Sequence, residues 1–197
     1  YTFVVGGATD EDAPYENLDP DSRPMVLDGD PDEPDVIRLN IKENMNLGKT
    51  PSWLKYASDV APEEIDVIAK LDSDTLVYPE FLIRKIERKI KPGDLMYGGT
   101  LVRKVQGDSV PYMQGGFYFL SRSLAKTITT DNKLRSQAIK KYSAEDVYGE
   151  RHEDVETGQL IHSLVEEEFV SMSFAKTDLP WMHKLRKGSL KKDSNFQ

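Results

Sequence analysis

The sequence predicts an α/β sandwich, in which helices cover a mostly parallel sheet, and two observations carry that prediction. Short apolar runs alternate with segments of helical periodicity, mainly in the order strand, helix, strand, helix, strand, strand, helix. One run, IDVIAKLDSD at 65–74, is apolar until it stops on two aspartates, the pattern of a buried parallel strand ending at a functional edge. No internal repeat of solenoid period competes with this order. The 197 residues suit a single domain over 1–197, with a core that needs no disulfide or metal as a staple.

Taken in chain order, YTFVVGG (1–7) is a strand entering a glycine turn. Residues 8–35 contain five prolines and little apolar periodicity, and are expected to form a long exposed loop or insertion. VIRLNI (36–41) is a second strand, and TPSWLKYASDV (50–60) a helix with Thr50 as N-cap and Pro51 at its first position. PEFLIRKIERKIK (79–91) starts on proline and repeats Phe81, Leu82, Ile83, Ile86 and Ile90 at helical spacing, with basic residues opposite. DLMYGGTLVRKV (94–105) and VPYMQGGFYFLS (110–121) are strands, the second broken at Gly115-Gly116, and SRSLAKTITT (121–130) is a helix. Leu160, Ile161, Leu164 and Val165 form an apolar stripe on a further helix that begins near Glu153.

The net charge of −8 is local, because residues 10–35 hold eleven acids against Arg23 alone and leave +2 on the remainder. A basic tail with Lys184, Arg186, Lys187, Lys191 and Lys192 suits a phosphate-bearing ligand. No long basic stripe interleaved with aromatics points to nucleic acid. No run approaches eighteen apolar residues, so no membrane segment is expected in this chain, and YTFVVGGATD lacks the flank and cleavage region of a signal peptide. The absence of cysteine excludes disulfides, cysteine–zinc sites and thiol catalysis, and it favours a reducing compartment such as the cytoplasm.

Asp-x-Asp occurs five times, at 10/12, 19/21, 28/30, 30/32 and 72/74, so the pattern alone says little. Only Asp72-Ser73-Asp74 follows an apolar strand, where two carboxylates can share a divalent cation that bridges a diphosphate. The alternative there is a strand-end turn with Asp74 capping the next segment. Gly115-Gly116 permits close backbone approach to a ligand or forms a simple bulge.

Glu-Asp-Val occurs twice, at 145–147 and 153–155. The first copy is followed by YGERH with no apolar stripe, and is expected in a solvated loop. The second opens a core-packed helix, so Asp154 sits where exposed backbone N–H groups favour a carboxylate, whether as a helix-start residue or as a working group. His152 precedes or caps that start, and His162 falls on its polar, surface side. His183, near Trp181 and the basic cluster, suits a metal ligand, a diphosphate contact or a structural role.

Four blocks in series give the chain a family resemblance. VIRLNIKENMNLGKT (36–50) is similar to a strand, acidic turn and NLTxKT block; KLDSDTLV (70–77) to KxDDDxF; PYMQGGFYFLS (111–121) to PxYxxGxGYxxS; and EDVETG (153–158) to EDVxxG. Together they resemble the GT-A fold glycosyltransferases, and within them family 31, the β-1,3-galactosyltransferase and fringe-like group. The resemblance implies a Rossmann-like α/β/α sandwich that transfers a sugar from a UDP-sugar to a hydroxyl of a glycan or glycoprotein, with inversion and with Mn²⁺ or Mg²⁺. It implies that Asp74 ligates the metal directly, that Asp72 contacts the ribose or the metal through water, and that His183 completes the metal site. Gly115 and Gly116 would let the chain approach the donor, with Ser73, Lys49 and Lys184 completing the donor-binding set. Asp154 would be the general base.

Asp-Ser-Asp here replaces the family's triple aspartate and keeps the metal pair, whereas the family's upstream arginine-rich block has no counterpart. Animal members reside in the Golgi lumen, which is the alternative location. A haloacid-dehalogenase-like phosphohydrolase would instead use Asp72 as nucleophile and Asp74 as acid/base, although Leu76 stands where that family has Thr or Val. A non-catalytic carbohydrate- or metal-binding module is the third reading.

Overall fold

The computed structural model describes residues 2–87, 95–102, 110–130, 152–168, 173–176 and 182–183. Eight strands and four helices lie within them: β1 (Phe3–Gly6), β2 (Val36–Leu39), α1 (Lys49–Val60), β3 (Val67–Leu71), β4 (Thr75–Leu76), α2 (Pro79–Glu87), β5 (Met96–Val102), β6 (Tyr112–Ser121), α3 (Arg122–Thr130), α4 (Glu153–Glu168), β7 (Ser173–Lys176) and β8 (Met182–His183).

The main sheet has the order β3-β6-β5-β7, and β6 is its centre. Alternate residues of β6 serve two cores, as the strand period requires. Tyr118 and Leu120 join Leu54, Ile68, Tyr97, Leu124, Ile128, Ile161 and Leu164 beneath α1, α3 and α4. Phe117 and Phe119 join Met96 on the other face, against Leu82 and Ile86 of α2. The expected helix/sheet/helix layering is therefore present, and each fully buried side chain of this size contributes about 1.5–3 kcal/mol.

The expectation of one mostly parallel sheet is corrected to a mixed four-stranded sheet accompanied by two separate two-stranded ones, β1-β2 and β4-β8. β1 pairs with β2 and β5 with β7 in parallel, whereas β3/β6, β5/β6 and β4/β8 are antiparallel. Residues 103–111 link β5 to β6, fewer than the dozen or so that a parallel crossover takes. β6 then slots between β3 and β5, which run the same way as each other. β3 is consequently an edge strand of its sheet rather than a buried parallel one: Ile68 is its one buried residue, and Leu71 is exposed.

Two further expectations are refined. α1 starts at Lys49 behind Gly48, whose φ of 126° belongs to glycine, so Thr50 is not the N-cap but a buried first-turn residue. Gly48 is the N-cap and brings no side chain to it, while Asn44 Oδ1, from the preceding turn, accepts the N–H groups of Leu47 (2.9 Å) and of Lys49 (3.3 Å), the first helical residue. Residues 8–35 carry exposed carboxylates but are not simply an exposed loop. Leu27 and Asn40 N–H groups bond to Arg38 and Met25 carbonyls at 2.9 Å, and Ala13 and Asn17 are buried. Three of the four Asp-x-Asp pairs there close local turns, with Asp12, Asp21 and Asp32 amides donating to the carboxylates of Asp10, Asp19 and Asp30. Short-range turn chemistry thus accounts for most of that repetition.

Candidate active site

β3 delivers the first carboxylates. Its pairing with β6 ends at Leu71 opposite Phe117, and the next amide, that of Asp72, donates to the Gly116 carbonyl at 3.1 Å. Thr75 N–H then bonds back to Asp72 O at 3.0 Å, closing a turn that leaves Ser73 and Asp74 exposed. β4 follows immediately and pairs with β8, Thr75 opposite His183 and Leu76 opposite Met182. The chain at His183 is thereby brought back beside the residue that follows Asp74, across more than one hundred positions of sequence.

β6 is continuous rather than broken at its two glycines, but its register against β5 jumps. Gly99 faces Tyr118, whereas Leu101 faces Met113. The stretch holding Gly115 and Gly116 lies within this bulge, and it is tied to the end of β3 and the start of α4, with the Gly116 carbonyl accepting the Asp72 amide and the Gly115 amide donating to Asp154.

α4 begins at Glu153, and its first hydrogen bond, Glu156 N–H to His152 O at 3.0 Å, makes His152 the residue that precedes the helix. Asp154 Oδ2 accepts the Gly115 N–H at 2.8 Å, and Oδ1 accepts the Val155 N–H at 2.8 Å. A Cβ on Gly115 would lie 3.1 Å from Asp154 Oδ2, so glycine allows this close approach. One turn on, Gly158 lies against Tyr112, where a Cβ would come within 2.5 Å of the tyrosine Cβ. His162 is half-buried rather than on the free surface, with Nε2 3.0 Å from the Pro111 carbonyl.

Lys70 ties these pieces together. Its Nζ donates to Asp72 Oδ1 at 2.5 Å and to Gly115 O at 2.7 Å, and lies 2.7 Å from Glu153 Oε1. Glu153 Oε2 accepts the Tyr118 hydroxyl at 2.7 Å. Burial works against the charge of Lys70, but two carboxylates outweigh it and hold the ammonium above its ordinary pKa. For Glu153 burial wins: its pKa is raised against the pull of Lys70 and Tyr118, with the neighbouring charge of Asp154 adding to the rise. Burial likewise raises Tyr118 and Tyr97, so both remain phenols, Tyr118 donating to Glu153 and Tyr97 accepting the Met113 N–H at 3.0 Å. Partial burial and then the charge of Asp154 raise Tyr112.

Of the expected site residues, Asp72 and Gly115 contact Lys70, Gly116 accepts the Asp72 amide, Asp154 accepts the Gly115 amide, and Ser73 and Asp74 project from the turn after Asp72. Lys49 lies elsewhere: it is ion-paired with Glu43, whose other oxygen accepts the Gly6 N–H at the end of β1. Lys184 and the Glu-Asp-Val copy at 145–147 fall outside the described residues. Lys70, Glu153 and Tyr118 were not singled out by sequence reasoning, although two signals were present. Lys70 stands two residues before Asp72 and so on the same side of the strand, and Glu153 adjoins Asp154.

For a divalent cation, the donor chemistry fits at the turn. Asp72 and Asp74 offer hard oxygens, the chain at His183 returns beside them, and Thr75 Oγ1 is buried without a hydrogen-bond partner among the described residues. Among the described residues no group of three or more His, Cys, Asp or Glu is gathered as a metal cluster, and no helix is long and apolar enough to cross a membrane.

A family model described as Galactosyltransferase matches residues 1–110, the span from β1 through β5 that includes Asp72 and Asp74. Gly115 and Asp154 lie downstream of the matched span. No curated protein matches the chain at a significant level.

Proposed function

The chain belongs to the galactosyltransferase family, and from that premise we propose that it moves a sugar from a UDP-sugar to a hydroxyl of a glycan or glycoprotein, with inversion and with help from Mn²⁺ or Mg²⁺. The observation that supports this most is the Asp154–Gly115 hydrogen bond, because it sets a carboxylate from α4 beside the loosened stretch of β6 and the Asp-Ser-Asp turn. In this proposal Asp154 is the general base. Two of its roughly four lone-pair directions are taken by the Gly115 and Val155 amides, which orient the group and leave the others for an acceptor O–H.

As the acceptor oxygen bonds to the anomeric carbon, its proton passes to Asp154 and the bond from that carbon to the diphosphate oxygen breaks, with the electron pair leaving on UDP. One displacement from the opposite face gives inversion. Asp74, Asp72 and His183 would hold the cation, whose positive charge supplies electrophilic assistance to the departing diphosphate. Ser73, Gly116 and Lys184 are assigned to donor binding, together with Lys49, which opens α1 and is paired with the Glu43 that caps the end of β1. Membership of this family leaves the phosphohydrolase alternative without support.

Asp154→Asn tests the assignment. The variant should bind UDP with Mn²⁺ as the wild type does, while UDP release from UDP-galactose, with water as acceptor, falls by about 10²–10⁴-fold. Release within threefold of wild type would remove Asp154 as the base.

A further inference from the structure

We infer that Lys70 is a positioning residue that sets the spacing between the donor-side carboxylate Asp72 and the base Asp154. This rests on the transferase reading above. The observation is a continuous chain of contacts: Asp72 Oδ1 to Lys70 Nζ (2.5 Å), Lys70 Nζ to Gly115 O (2.7 Å), and Gly115 N–H to Asp154 Oδ2 (2.8 Å).

Gly115 is the hinge of this chain, since its carbonyl faces Lys70 and its amide faces Asp154. The register of β6 against β5 shifts across this stretch, and on the β3 side the last main-chain bond among the described residues is that of the Asp72 amide to the Gly116 carbonyl. Lys70 adds a charge-assisted bond one residue further on, at the Gly115 carbonyl. Glu153 in turn fixes Lys70: its Oε1 is 2.7 Å from Nζ, its Oε2 is held by Tyr118, and its side chain is 11% exposed. The ammonium also lies 5.9 Å from the centre of the Tyr118 ring. A cation gripped from four directions has little freedom, so the positions of Asp72 and Asp154 are coupled through it.

Lys70 also competes for Asp72. The ammonium occupies Oδ1, an oxygen on the carboxylate pair assigned to the cation. Removing it should therefore move two measurements in opposite directions, which a residue needed only for folding would not do.

The experiment compares the wild type, Lys70→Met, and Lys70→Met/Glu153→Met. The single variant leaves Glu153 buried without its cation and loses stability. The double variant replaces the buried pair with apolar groups of similar length, a change that is often neutral for stability. In both variants Mn²⁺ affinity, titrated in the presence of UDP, should rise by about 3- to 10-fold. At saturating Mn²⁺, kcat for UDP release from UDP-galactose should fall by roughly 10²-fold, with KM changed less than about threefold. The Tm should recover in the double variant while kcat does not.

If kcat recovers along with Tm, Lys70 is merely structural and the inference is overturned. The same follows if Lys70→Met keeps wild-type kcat, or if Mn²⁺ affinity falls together with kcat. A wild-type protein that neither binds UDP with Mn²⁺ nor releases UDP from UDP-galactose removes the transferase reading, and this inference with it. Intact wild-type turnover with an unaffected Lys70 variant overturns this inference alone.

Discussion

Gly158→Ala sets two expectations of opposite sign against each other. In an unencumbered helix interior the change stabilises by about 0.8–1 kcal/mol, because alanine has less backbone freedom to lose on folding. In α4 the added methyl would lie 2.5 Å from Tyr112 Cβ and 3.2 Å from its Cα. These atoms are fixed to the β6 backbone, so no rotamer change relieves the overlap. Reaching the 3.4 Å of ordinary contact requires α4 and the start of β6 to separate by close to 1 Å. Overpacking of this kind costs about 1–3 kcal/mol and so outweighs the propensity gain, for a net loss on the order of 1 kcal/mol. For a chain of this length that is a fall in Tm of about 2–4 °C by thermal circular dichroism. The same displacement lies one turn from Asp154, between the two elements that its bond to Gly115 joins, so UDP release from UDP-galactose should fall by up to roughly 10²-fold. A Tm that rises by 2–4 °C would mean that propensity wins and that the contact between α4 and β6 is looser than described.

Two more perturbations address the buried acid. Tyr118→Phe deletes the hydroxyl that donates to Glu153 Oε2, and should cost about 1.5–3 kcal/mol by urea denaturation; an unchanged midpoint would show that this bond contributes nothing. Glu153 has a folded-state pKa above its unfolded value, so the stability it contributes is complete below the unfolded pKa and is lost as pH rises through the folded one. The Tm difference between wild type and Glu153→Gln should accordingly favour wild type most near about pH 4 and shrink toward neutrality, and a difference that grows with pH would reverse the sign.

The layers and most elements were legible because their signals are local. The apolar period placed α2 and α4, and the run 65–74 placed β3. Sheet direction was not legible, since whether β6 lies beside β5 alone or also between β5 and β3 depends on long-range pairing that no local pattern encodes. Thr50 reads as an N-cap because Ser/Thr before proline is the usual signal; the cap is Gly48, and the N–H of Lys49 is taken by Asn44, five residues upstream, through a loop conformation that sequence alone does not give. At the site, Asp154, Gly115 and Asp72 are visible as motif residues, and they are linked in series, Asp154 to Gly115 directly and Gly115 to Asp72 through Lys70. Lys70 and Glu153 were hidden because a lysine and a glutamate default to the surface, and only tertiary packing reveals that each is mostly buried against the other.

The most direct test of the proposed chemistry is a calorimetric titration of UDP into the wild-type protein with Mn²⁺ present and again with the metal chelated. Metal-bridged binding at Asp72 and Asp74 predicts a single-site isotherm with Mn²⁺ and an affinity at least about tenfold weaker, or undetectable, without it. Equal UDP affinity in the two titrations, or no binding in either, would contradict a metal-dependent UDP-sugar transferase.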